Sequence, residues 1–130
     1  MPRRYLIASA AVLSCFAAMA QAEDFSSSYT QCMDTASSTV AMSSCIQAET
    51  TLQDQRLNRA YKQLMSKLEA GPKNSLREVQ RGWITYRDGN CAFHAQASGG
   101  TMRQIEGGMC VMGMTRDRAA ELERVLSPGQ

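Results

Sequence analysis

The chain is short of the residues that most chemistry needs: it has one histidine, one tryptophan and three prolines among 130 residues. The lone histidine, His94, follows Phe93 in an ordinary helical context, so a Ser-His-Asp triad has little support. No Cys-x-x-Cys, no His-Glu-x-x-His, no P-loop and no Gly-x-Gly-x-x-Gly occurs, which leaves redox, zinc-peptidase and nucleotide chemistry without a motif. The carboxylates are scattered, and their spacing singles out no pair for glycoside hydrolysis. No run of alternating, β-branched residues appears anywhere, so a sheet is not expected. No metal and no cofactor is expected either.

What is present begins at the N-terminus. Met1-Pro2-Arg3-Arg4 precedes an apolar run from Tyr5 to about Ala20, and Ala20-Gln21-Ala22 supplies small residues one and three positions before a cut. Basic, apolar and small-residue regions in that order predict a secretory signal over residues 1–22. The run of about 16 residues falls short of the ~20 needed to span a bilayer, and no second candidate follows. A lesser alternative is lipid anchoring at Cys15, since Val12-Leu13-Ser14-Cys15 loosely fits a lipoprotein box. Cleavage after Ala22 removes Arg3 and Arg4, so 14 basic against 12 acidic residues becomes 12 against 12. The mature chain is formally neutral, and no global basic field points to nucleic acid or an anionic membrane.

Cleavage also removes one cysteine of five. The four that remain, Cys32, Cys45, Cys91 and Cys110, form an even set in an exported chain, the expected signature of disulfides. Three pairings are possible. The local one, Cys32 with Cys45 and Cys91 with Cys110, brackets Ser37-Ser38 and Gly99-Gly100, and each bond contributes about 3 kcal/mol by restricting the unfolded chain.

Apolar spacing predicts an all-α domain, a long helical hairpin with a third helix packed on it. Residues 23–31 read as a polar lead-in, and 32–43 as at most a short helix and a turn. A long helix is expected from Ser44, with Gln47 completing a capping box, to Gly71-Pro72. Its stripe is Leu57, Tyr61, Leu64 and Leu68, extended less regularly by Ile46 and Leu52. A second helix is expected from Asn74 or Ser75, with Leu76, Val79, Trp83 and Tyr86 inward, Phe93 further along the same stripe, and Gly82 allowing a close neighbour. Gly99-Gly100 ends it. A third stretch, Met102 to Leu126, is expected to break near Gly107-Gly108 and to resume with Val111 or Met112, Thr115, Ala119, Leu122 and Val125 or Leu126. Residues 127–130 form a tail.

Two further patterns bear on function. Met102, Met109, Met112 and Met114 cluster around Cys110; thioethers are soft copper ligands, but methionine more commonly fills irregular helix contacts, which is the expectation here. Polar residues also interleave the stripes: Asp54, Asn58 and Tyr61 on one helix, Gln80, Trp83, Arg87 and Asp88 on the next, Thr115 and Arg118 on the third. Unpaired buried polar groups cost about 1–3 kcal/mol each. These residues are therefore expected to form an inter-helix network, with Asp54 or Asp88 pairing Arg87 or Arg118, or else a partner groove.

The ordered set Cys32, Cys45, Asp54 with Leu57-Asn58 and Tyr61, then Gln80, Trp83, Arg87-Asp88, Cys91, Gly99-Gly100, Cys110, Thr115, Arg118 and Leu122 resembles the LprI-type lysozyme-inhibitor domain of bacterial envelope proteins. The likeness runs from Cys32 to about Leu126. It implies a helical domain with structural disulfides in a periplasmic or lipid-anchored protein, without a catalytic site and, for some members, with inhibition of lysozyme. Gly82 and Gly107-Gly108 depart from the pattern. The expectation is a periplasmic binding protein that occludes the lysozyme cleft; the alternative is an envelope structural or protein-interaction module without that target. Many lysozymes are cationic and favour an acidic partner, which a neutral chain with mixed charges around Glu121 and Glu123 does not obviously supply.

Overall fold

A computed structural model describes residues 25–128. The segment expected as a signal peptide lies outside them. Four helices follow in order: α1 (Ser27–Thr35), α2 (Thr39–Lys67), α3 (Ala70–Ser98) and α4 (Met102–Leu126). The all-α expectation holds, with no strand among the described residues. The helix added to the α2–α3 hairpin packs on both its arms: α4 lies between α2 and α3, which touch each other little.

The buried residues of α2 step by three and four through Ile46, Glu49, Gln53, Leu57, Ala60 and Leu64. That periodicity turns one face to α4. Leu52, expected on the stripe, is instead exposed. On α4 the inward residues are Ile105, Met112, Thr115, Arg118, Ala119 and Leu122, which include four of those expected. Two clusters form the core. Leu57, Ala60 and Leu64 meet Ala119 and Leu122 at one end, with Tyr61, Leu76 and Trp83 against them. At the other end Ile46 meets Ile105 and Met112, covered by Phe25, Tyr29, Met33 and Met42.

The helix boundaries depart from the sequence reading, each for a local reason. Residues 27–31, read as lead-in, are helical, because the Ser26 hydroxyl accepts from the Tyr29 N–H as an N-cap and Phe25 and Tyr29 have a core to cover. Ser38 caps α2 in the same way through the Ala41 N–H, so the helix starts five residues before the expected Ser44 capping box begins it. Gly71-Pro72 opens α3 rather than ending α2. The first turn of a helix has no intrahelical acceptors for its N–H groups, so proline fits there without losing a bond. Lys73 N–H to Glu69 O, at 2.9 Å, is the first bond after it. Gly99 and Gly100, with φ of 65° and 52°, make the α3–α4 turn, a backbone conformation that glycine adopts readily.

The Gly107-Gly108 pair does not break α4, which runs through it without interruption. These glycines let helices approach closely. A Cβ on Gly107 would lie 3.0 Å from the Cβ of Ala95 on α3, and one on Gly108 would lie 3.1 Å from Cγ2 of Ile46 on α2. Gly82, expected to admit a close neighbour, has nothing within 4 Å of such a Cβ, and neither does Gly89. The two classes should separate experimentally. Gly82→Ala removes only a helix-propensity penalty and is expected to stabilise by about 0.5–1 kcal/mol. Gly107→Ala must displace a methyl fixed to backbone, an overpacking cost of about 1–3 kcal/mol that outweighs the same gain. Urea midpoints of the two variants should move in opposite directions; a stabilised Gly107→Ala would refute the close-approach role.

Both cysteine pairs are bonded as the local reading expected. Cys32–Cys45 ties α1 to α2 with Cα atoms 5.7 Å apart, and Cys91–Cys110 ties α3 to α4 at 5.4 Å.

Candidate functional site

The face that α3 turns to α4 is polar over most of its length. Its inward positions carry Gln80, Trp83, Arg87 and Asn90, all half-buried, with Leu76 and Cys91 at intervals. A seam of this composition is stable only if its groups are paired. Arg118, 6 % exposed, donates from Nε to Gln80 Oε1 at 3.0 Å and pairs through Nη1 with Glu121 at 2.7 Å. Arg87 donates from Nη1 to Thr115 Oγ1 at 3.4 Å and pairs with Asp88 at 2.8 Å. The Thr115 hydroxyl in turn donates to the Val111 carbonyl at 2.7 Å. Both guanidinium groups sit near the Trp83 indole, Arg87 Cζ at 5.1 Å and Arg118 Cζ at 5.9 Å from the ring centre. Attraction of cations to the ring is about 0.5–2 kcal/mol per contact, so the pair fixes the indole from two sides. A shallow open hollow of about 300 Å³ lies beside it, lined by Trp83, Met114, Asp117, Arg118, Glu121 and Arg124.

The structure therefore brings together Gln80, Trp83, Arg87, Thr115 and Arg118, with Asp88 at the rim. It does not bring Asp54 or Asn58 to them. Asn58 donates to Asp54 at 2.9 Å on the exposed side of α2, an i,i+4 surface pair. Tyr61 packs on the core cluster below Trp83. The expected Asp–Arg pairing exists for Asp88 with Arg87, between chain neighbours rather than across helices. Among the described residues an inter-helix ion pair that spacing did not single out joins Arg56 on α2 to Glu123 on α4, Nε and Nη2 each meeting one carboxylate oxygen.

A second network was also missed. Glu49 is 1 % exposed. Its carboxylate accepts from the Ser26 N–H at 3.1 Å, from the Ser26 hydroxyl, and from Gln53 Nε2 at 2.7 Å. Burial pushes the carboxyl pKa up, but these hydrogen bonds together outweigh it and hold the group below its ordinary value. Burial and the nearby Glu49 charge push the Tyr29 phenol up. The available signal was position: Glu49 and Gln53 stand at the three- and four-residue steps of the α2 stripe.

Polar groups on the inner face of α3 leave apolar ones outside. Val79, Tyr86 and Phe93 follow at intervals of seven residues and are 55 %, 63 % and 64 % exposed. Spacing of seven is two helical turns, so the three make one ridge along α3. The spacing predicts Val79, Tyr86 and Phe93 inward with Leu76 and Trp83, but only Leu76 and Trp83 pack on the core. His94 is exposed beside Phe93. Among the described residues no group of three or more His, Cys, Asp or Glu side chains is placed to hold a metal. None of the described helices is long and apolar enough to cross a membrane. A paired polar seam with an open hollow beside Trp83, and the exposed ridge of Val79, Tyr86 and Phe93 on the same helix, suit binding of a macromolecular surface.

Comparison with known proteins agrees with that geometry. The family model described as Lysozyme inhibitor LprI matches residues 32–122, a span that begins at the first disulfide cysteine and ends at the last buried leucine of α4. The chain belongs to the LprI family. An uncharacterized protein of Rhizobium meliloti (strain 1021) is 28 % identical over 100 residues, which covers 66 % of this chain and 72 % of that one. No solved structure matches. The LprI description is of inhibitors rather than catalysts, and with the two disulfides it points to a protein that works outside the cytoplasm.

Proposed function

We propose that this LprI-family protein is exported by cleavage of residues 1–22, resides in the periplasm and inhibits a lysozyme by covering its substrate cleft. The family match over residues 32–122 carries the reading. The ridge on α3 supports it, because Tyr86 and Phe93 are exposed rigid aromatic groups of the kind that anchor protein interfaces. Arg81 is exposed on the same helix, whereas Arg87 is engaged in the seam with Thr115 and Asp88. An exposed basic side chain there can meet a cleft lined by carboxylates, which a neutral inhibitor needs because it has little long-range attraction for a cationic enzyme.

A cell-wall lysis assay tests this directly, with purified mature protein titrated against c-type and g-type lysozymes. Lysis should slow with at least one class and should be restored by Tyr86→Ala with Phe93→Ala, since two central anchors together account for about 2–4 kcal/mol of binding. Undiminished lysis at excess protein would exclude inhibition. Inhibition untouched by the double variant would keep the function and move its surface elsewhere.

The near-zero charge of residues 23–130 favours a second reading, an envelope interaction module without a lysozyme target. Recovery of a stable endogenous partner from the periplasm, together with unimpaired lysis, would establish it.

A further inference from the structure

The methionines that crowd around Cys110 in the sequence separate in the fold. Met112 is wholly buried, and Met102 and Met109 are 45 % and 43 % exposed. Met114 stands against the disulfide: its Sδ lies 3.7 Å from Cys91 Sγ and 3.9 Å from Cys110 Sγ. The side-chain amide of Asn90 donates toward Cys110 Sγ at 3.7 Å and toward Met114 Sδ at 3.5 Å. Three sulfurs thus converge from two helices, with an N–H donor beside two of them. Met114 also lines the open hollow next to Trp83, so the cluster can be reached from solvent even though Cys91 is buried.

We infer that this corner is a latent Cu(I) site, with Cys91, Cys110 and Met114 as ligands, that becomes available when the Cys91–Cys110 bond is reduced. Thiolate and thioether donors select Cu(I) over harder ions. Metal–sulfur bonds of about 2.3 Å in a trigonal plane set the sulfurs about 4 Å apart, and two of the three edges already have that length. The third opens when the bond between the cysteines is broken. A dithiol, small or carried by a thioredoxin-like protein, attacks one cysteine sulfur as thiolate; its second thiol then resolves the mixed disulfide. The dithiol ends as a disulfide and Cys91 and Cys110 as thiols. Cu(I) displaces both thiol protons without change of oxidation state, and the complex carries one negative charge. The Asn90 N–H then serves as an outer partner to the sulfurs, as such donors do in metal sites. The Gly99-Gly100 turn and the α3–α4 seam keep the two helices together while the bond is open.

The test is anaerobic Cu(I) titration of the mature chain, residues 23–130, against a chromophoric bicinchoninate competitor, before and after reduction and removal of the dithiol. The oxidised protein should take no copper from the competitor. The reduced protein should take copper, and Cys32→Ser with Cys45→Ser should leave one equivalent bound. Met114→Leu, close in volume, should weaken that binding by tenfold or more, since loss of a ligand should exceed the about 10–100-fold effect of losing an outer partner, while helicity by circular dichroism stays unchanged. Failure of the reduced chain to compete overturns the proposal. So does equal affinity of the Met114→Leu protein, which would reduce the site to two thiols. Should the Cys32/Cys45 variant not fold, the Met114→Leu comparison in the otherwise unaltered chain still decides.

Discussion

Replacing Met112 by alanine is expected to lower the unfolding free energy by about 2–5 kcal/mol, the range for truncating a fully buried long side chain. Met112 has 0 % exposure and sits in the cluster that joins Ile46 of α2 to Ile105 of α4. Phe25, Tyr29, Met33 and Met42 close that cluster from outside, so a truncated side chain opens a void bounded on every side. A domain of this size has about 5–15 kcal/mol in total, and the variant forfeits a large part of it. The denaturant midpoint should fall with little change of slope. Met112→Leu, which conserves volume, should cost less than about 1.5 kcal/mol. An alanine variant within about 1 kcal/mol of the parent would mean that the covering side chains collapse into the space.

Glu49→Ala should release the Ser26 end of α1 while Cys32–Cys45 still tethers the other, with a local loss of about 2–3 kcal/mol. No residue of α1 is buried, and it is only nine residues long, too short to be stable alone. It is held at its two ends: Cys32–Cys45 near the C-terminal end, and Glu49 receiving Ser26 at the cap. Removing the carboxylate leaves Ser26 and Gln53 donors unpaired in a closed site, and undocking lets water satisfy them. Amide exchange in residues 29–35 should accelerate on the order of a hundredfold, while α2 and α4 amides keep their protection. Uniform acceleration in all helices would show that α1 does not open separately.

The same carboxyl gives α1 a pH dependence whose sign is fixed. Its folded pKa is held below the ordinary 4.5, so the native state prefers the ionised group. The resulting stability is fully present above the unfolded value and is lost as pH falls through the lower, folded one. Exchange in α1 should therefore rise as acid is added in the range below 4.5, and Glu49→Gln should abolish that step. A step that survives in the glutamine variant would belong to another group.

Several parts of this architecture were legible from residues alone. The local cysteine loops, the Gly99-Gly100 turn and the inward set Met112, Thr115, Ala119 and Leu122 follow from spacing and backbone preference. Other parts were not, because one local signal serves two structures. A glycine pair reads alike whether a helix breaks or a neighbour presses against it, and Ala95 and Ile46 decide which. Gly-Pro ends a helix or begins one. On α3, steps of three and four pass through Leu76, Val79, Trp83 and Tyr86, yet two faces share that spacing; pairing of Gln80 and Arg87 with α4 selects the one that puts Val79 and Tyr86 outside. Glu49 was passed over because a carboxylate at a core step is rare unless it is paired, and its partner Ser26 lies 23 residues away.

The position of α4 between α2 and α3 has a consequence for the order of events in synthesis. Each core cluster has one wall in residues 46–64 and the other in residues 105–122. A growing chain that has reached Gly100 has made the first wall and nothing to press against it. The long faces of α2 and α3 touch each other little, so both wait until α4 arrives and serves them together. Packing of the two long helices into one core is thus postponed almost to the last residues described.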